Sequence, residues 1–87
     1  MAVSPTVSVI IPAYNAEACV DTAIKSALGQ TVSPLEVLVV DDGSRDRTAE
    51  VAAAFGPPVR VIRQANAGPA AARNHGACEA RGEWLAL

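Results

Sequence analysis

Three observations on this chain predict an α/β fold, a parallel sheet with helices on both faces. Apolar, β-branched runs near residues 7–12, 36–41 and 59–63 alternate with segments of helical 3,4 spacing. These runs are continuous rather than alternating, which fits strands covered on both faces. The first two also stop abruptly in polar, turn-forming residues, Tyr14-Asn15 and Asp41-Asp42-Gly43-Ser44. Ligands of such sheets bind outside the carboxyl ends of the strands, so Tyr14 and the Asp41-Asp42 pair are expected around one cleft.

The elements follow in chain order. Val7 to Pro12 reads as a first strand, doubly buried and therefore in the middle of the sheet. Asn15 is a suitable cap for a first helix whose inward stripe is Val20, Ala23, Ile24, Ala27 and Leu28, ended by Gly29. A turn at Ser33-Pro34 leads to the second strand, and Asp41 to Asp46 form the loop before a helix over Arg47 to Phe55. Gly56-Pro57-Pro58 stops that helix, and Val59 begins the third strand. Pro69 suits the first position of a third helix running to about Arg81, with Gly82 as its cap. This helix is rich in small residues, and Gly76 in its interior implies close packing against the sheet. Residues 83–87 read as a fourth strand, so the order is β-α-β-α-β-α-β.

Composition narrows the functional classes. Eighty-seven residues are room for one domain or part of one. The chain is 51% apolar and 18% charged, as in a globular segment rather than a disordered tail. Its net charge of -2 gives no basic footprint for nucleic acid. Cys19 and Cys78 fall in separate helices and read as small buried apolar residues, not as a disulfide or metal pair. No leader peptide and no stretch approaching about 18 apolar residues is visible, so no membrane segment is expected and the location is expected to be cytoplasmic.

Asp41 and Asp42 are neighbours on an extended segment, so their side chains point to opposite sides and only one can face a ligand. The other is available to hold the loop, and Asp-Gly-Ser is turn chemistry whatever the function. A carboxylate beside an aromatic ring suits a nucleobase: the ring of Tyr14 offers a stacking face, and the carboxylate accepts from an N–H edge. Uracil presents N3–H to such an acceptor, whereas cytosine presents a lone pair. A plain packing role for Tyr14 stands beside this reading. Arg73 sits one turn into a helix whose N-terminus favours anions, and can reach a phosphate or a base edge; a solvated helix charge is the alternative. His75 reads as structural or exposed.

Together the segments Val7-Ser8-Val9-Ile10-Ile11-Pro12-Ala13-Tyr14-Asn15 with Glu17, Val39-Val40-Asp41-Asp42-Gly43-Ser44 with Asp46 and Thr48, Asn66-Ala67-Gly68 with Ala72-Arg73-Asn74 and Gly76, and Gly82-Glu83-Trp84-Leu85 closely resemble the start of a family 2 glycosyltransferase of the GT-A, nucleotide-diphospho-sugar transferase fold. The resemblance covers nearly the whole chain. It implies a Rossmann-like parallel sheet truncated after the fourth strand, with residues 1–87 forming the N-terminal nucleotide-binding part of one transferase domain. Pro12, Ala13, Tyr14, Glu17, Asp42 and Arg73 are then the nucleotide-binding residues, holding a UDP-sugar or related donor.

The same resemblance implies transfer with inversion to a saccharide, lipid or protein acceptor that the sequence does not name. It also implies a divalent metal, Mg or Mn, whose Asp-x-Asp type ligands lie beyond Leu87, together with the catalytic base; no catalytic or metal residue is assigned within this chain. Association with the cytoplasmic face of the membrane would use regions outside it. A non-catalytic nucleotide-binding fragment is the main alternative. A receiver-like signalling domain wants a third strand ending in Asp, where this one ends in Arg63-Gln64. A dinucleotide-binding oxidoreductase wants Gly-x-Gly-x-x-Gly after the first strand, which is absent.

Overall fold

A computed structural model describes residues 6–30 and 33–86. Four strands, β1 (Val7–Ala13), β2 (Glu36–Asp42), β3 (Val59–Gln64) and β4 (Trp84–Ala86), alternate with three helices, α1 (Val20–Leu28), α2 (Thr48–Ala53) and α3 (Pro69–Glu79). The strands form one sheet in the order β3-β2-β1-β4, and every pairing is parallel. The β-branched runs therefore build the sheet that their continuity predicts. Leu87, the last residue of the expected fourth strand, lies outside the described residues.

Alternation along the strands divides the core between two faces. On one, Val20, Ile24 and Ala27 of α1 and Ala52 of α2 pack with Val37, Val39 and Val59. On the other, Ala72 of α3 packs with Ile10, Val40 and Ile62. Gly76 is required here: a Cβ at this position would lie 2.6 Å from Ile10 Cγ2 and 3.1 Å from Val40 Cγ2. The small-residue surface of α3 thus lets the helix backbone sit almost directly on the strands.

Several sequence expectations are corrected. The doubly buried strand is β2, whose seven residues are all buried, whereas β1, although in the middle by pairing, keeps Val7, Val9, Ile11 and Pro12 half-exposed. The six residues of α2 and nine of α1 are too short to cover both central strands fully. Asn15 does not cap α1. It adopts a left-handed φ of 47°, and the chain makes a separate turn through Ala16 before α1 begins after Cys19. Ala23 is exposed rather than part of the inward stripe. Both cysteines are exposed, so neither is a core residue.

The end of α3 also differs. The helix stops at Glu79 because Ala80 is extended and the Arg81 N–H turns to Glu36 Oε2 at 2.7 Å. Gly82 is not the cap; it lies against β1, where a Cβ would come within 2.7 Å of Ser8 N. Its N–H donates to Ser8 Oγ at 2.8 Å, and Ser8 Oγ donates to Glu36 Oε2 at 2.7 Å. Arg60 Nη2 stands 3.6 Å from Glu36 Oε1 and donates to the Glu79 carbonyl at 3.0 Å. This network, buried at the Ser8–Glu36 bond, fastens the α3–β4 connection to the amino ends of β1 and β2. Burial opposes ionisation of Glu36, but the Arg81 N–H, the Ser8 hydroxyl and Arg60 outweigh it and hold the carboxyl below its ordinary value.

Candidate functional site

At the carboxyl ends of β1 and β2, on the α3 side of the sheet, lies a cavity of about 200 Å³ lined by Pro12, Ala13, Tyr14, Asp42, Asn66, Gly68 and Pro69. The location is the one that the parallel sheet dictates. Tyr14 leaves β1 just past its last paired residue, so its ring is half-exposed over the opening. The ring is an unburied aromatic face at the mouth of a mostly apolar hollow, a shape suited to a planar ring.

The adjacent carboxylates part, as an extended segment requires. Asp41 turns to the α2 side, where its Oδ1 accepts from the Ser44 N–H at 3.3 Å. Its Oδ2 is buried without a hydrogen-bond partner among the described residues, although Arg63 Nε stands 3.5 Å away. Asp41 holds the loop and does not line the cavity.

Asp42 does, and it is nearly enclosed by the segment that follows β3. Its Oδ1 accepts from Gln64 Nε2 and the Ala67 N–H, both at 2.8 Å. Its Oδ2 accepts from the Gly68 N–H at 3.0 Å and from Asn66 Nδ2 at 3.2 Å, while Asn66 Nδ2 also donates to the Asp42 carbonyl at 3.0 Å. The Gln64 amide and the Ala67 N–H, with Gly68 adding to them against the effect of burial, hold the Asp42 carboxyl below its usual range. Gly68 is the N-cap of α3, so the anion favoured at that helix terminus is the protein's own carboxylate. Asp42 is thereby an ionised acceptor with a fixed orientation.

A second set of bonds fixes the Tyr14 side. Asn15 Oδ1 accepts from the Arg45 N–H at 2.9 Å, and the Asn15 N–H donates to Ser44 Oγ at 2.8 Å. Thr48 Oγ1 accepts from the Ala16 N–H at 2.8 Å, and Asp46 Oδ2 from the Glu17 N–H at 3.1 Å. Asp46 Oδ1 also binds both the hydroxyl and the N–H of Thr48 at the start of α2. The Thr48 hydroxyl is the largest of the bonds that hold the Asp46 carboxyl below its usual range.

Of the residues expected from sequence, the structure brings Pro12, Ala13, Tyr14 and Asp42 into one cavity. Glu17 lies in the loop bound to α2, accepting from the Arg47 N–H at 3.4 Å, and Arg73 is half-buried in α3; neither lines the cavity. Gln64 was not singled out by the sequence. The signal that finds it is register, because β2 and β3 set Gln64 opposite Asp42. Among the described residues no group of His, Cys, Asp or Glu is arranged to hold a metal ion, and the one carboxylate in the cavity is already surrounded by N–H donors.

Comparison with known proteins bears on the family and the fold. Residues 8–87 match the family model described as Glycosyl transferase family 2. The uncharacterized glycosyltransferase EpsJ of Bacillus subtilis is 43% identical over 84 residues, covering 93% of this chain and 24% of that protein. Among solved structures, S. aureus TarS in complex with UDP-GlcNAc superposes with a TM-score of 0.82 at 32% identity, over 92% of this chain and 25% of that one. The mannosyltransferase PcManGT from Pyrobaculum calidifontis, in complex with GDP-Man and Mn2+, superposes with a TM-score of 0.81 at 28% identity, over 95% of this chain and 26% of that one. The chain spans about a quarter of the length of the first of these relatives.

Proposed function

The chain belongs to glycosyl transferase family 2, and from that membership we propose that it is the donor-binding part of an inverting transferase that uses a nucleotide-diphospho-sugar, with UDP-sugar as the preferred donor. The cavity between the Tyr14 ring and the Asp42 carboxylate is the observation that carries the reading. The ring covers one face of the base and the carboxylate accepts from its N–H edge. Asn66 Nδ2 makes the longest of the four bonds to the Asp42 carboxylate, so it is the donor that the base replaces, and it keeps its second bond to the Asp42 carbonyl. Glu17 and Arg73, which do not line the cavity, are further positions of the same nucleotide site in this reading.

The described residues do not fit a metal; Mg or Mn would be held by ligands outside this chain, where the catalytic base would also lie. The acceptor, whether saccharide, lipid or protein, is met by those regions as well. A guanine base is the second reading, because its N1–H and amino group also suit a carboxylate and PcManGT binds GDP-Man.

Titration calorimetry with UDP, CDP and GDP tests this. Wild-type protein is expected to bind UDP more tightly than CDP. A hydrogen bond to a charged group is worth enough that Asp42→Asn is expected to weaken UDP by roughly tenfold to a hundredfold. The UDP to CDP gap should narrow as well, since an amide can donate to cytosine N3. Tighter binding of GDP than UDP would transfer the assignment to guanine. An unchanged UDP to CDP ratio in Asp42→Asn would remove Asp42 from base reading altogether.

A further inference from the structure

Behind the cavity wall runs a chain of side-chain contacts that donor binding does not use directly. Gln64 Nε2 donates to Asp42 Oδ1 at 2.8 Å, and the other end of the same amide, Oε1, lies 2.7 Å from Nδ1 of His75 on α3. An ionised carboxylate only accepts, so the Gln64 NH2 must face Asp42 and its oxygen must face His75. An amide oxygen also only accepts, so His75 Nδ1 carries the proton. The three groups thus have one self-consistent arrangement, running from α3 through β3 to β2.

We propose that His75 is a positioning residue of the nucleotide site: through Gln64 it holds the Asp42 carboxylate in the orientation that reads the N–H edge of a nucleoside diphosphate. This rests on the donor-site reading above. The imidazole is half-buried and does not line the cavity, so it acts without touching the nucleotide. Removing its N–H leaves the Gln64 oxygen without its partner in a partly buried place, and the amide then loses its fixed plane. Asp42 keeps its backbone donors but no longer has the lateral contact that sets the direction of Oδ1.

The experiment compares UDP and CDP affinities by calorimetry for the wild type, His75→Phe, His75→Asn and Gln64→Met. Asn carries an amide nitrogen at the same branch point as Nδ1 and restores the donor, whereas Phe keeps the ring and removes it. Loss of one partly buried hydrogen bond predicts that His75→Phe weakens UDP about three- to tenfold and lowers the UDP to CDP ratio. His75→Asn should restore both, and Gln64→Met, which interrupts the chain at its middle without changing its length, should match His75→Phe. His75 is the only histidine in the sequence, so long-range 1H–15N spectra of the neutral imidazole report its tautomer directly, and protonation at Nδ1 is expected. Protonation at Nε2, or affinities and ratio unmoved by His75→Phe and Gln64→Met, would overturn the positioning role while leaving the donor site standing. An equal loss for both nucleotides that Asn does not rescue would reduce His75 to packing. A wild-type protein that binds neither nucleotide would remove the donor site itself.

Discussion

At the scale of single residues, position 76 shows how a sequence that looks unfavourable locally is favourable in the fold. A glycine inside an eleven-residue helix costs helix stability, yet its missing Cβ is what lets α3 rest on Ile10 and Val40. Gly76→Ala gains helix propensity and overpacks this contact, so a net destabilisation of about 1–3 kcal/mol is expected from urea unfolding. A variant as stable as wild type would show that α3 can lift without loss. The closeness was legible, because a glycine among alanines has little other reason to stand there. Tyr14 and Asp42 were legible too, since each follows an apolar run at a strand end. Gln64 and His75 were not, because their meaning depends on strand register and on a helix packing across the sheet. Asn15 misled for a related reason: its side-chain oxygen serves a loop 30 residues away, not the helix next to it.

At the scale of elements, strand positions were legible and helix ends were not. Strands here are continuous β-branched runs, and such a run carries its own boundary wherever polar residues begin. Helix starts and stops are settled by partners distant in sequence: Thr48 and Asp46 for the turn before α1, and Glu36 for the end of α3. The Glu36 network makes a prediction about acid. Its carboxyl is held below the ordinary 4.5, so the native state binds the proton more weakly than the unfolded chain does. The stability it contributes is present in full above that value and is lost as pH falls through the lower native one. In melts from pH 7 downward, Glu36→Gln should therefore lie below wild type at neutral pH and converge with it in acid. A difference that stays constant across this range would mean that charge on Glu36 contributes nothing.

At the scale of the whole molecule, both acids at the carboxyl end of β2 are engaged by the protein itself. Asp42 is spent as an acceptor, and Asp41 is turned away beneath Arg63. The 87-residue protein is therefore expected to bind donor nucleotide and to leave UDP-glucose intact with Mn2+ present, monitored by UDP release. Release above the blank, lost in Asp42→Asn, would show that the residues present suffice for turnover. The receiver-like alternative ends with the family match and with a third strand that closes in Arg63-Gln64, one residue pairing with each of the two acids of β2.

The two polar networks of this sheet stand at its opposite ends. Glu36 and Asp42 open and close the same strand, about 20 Å apart at the usual rise per residue, with four fully buried aliphatic residues and Asp41 between them. Perturbations so far apart combine additively, which makes fastening and recognition separable traits. The side chains at 64 and 66 could then be exchanged for those of a relative with a different nucleotide preference without touching the amino-end clasp, whatever they cost at Asp42 adding to it independently. A lineage in which donor choice drifts need not rebuild the clasp at the other end of the strand each time.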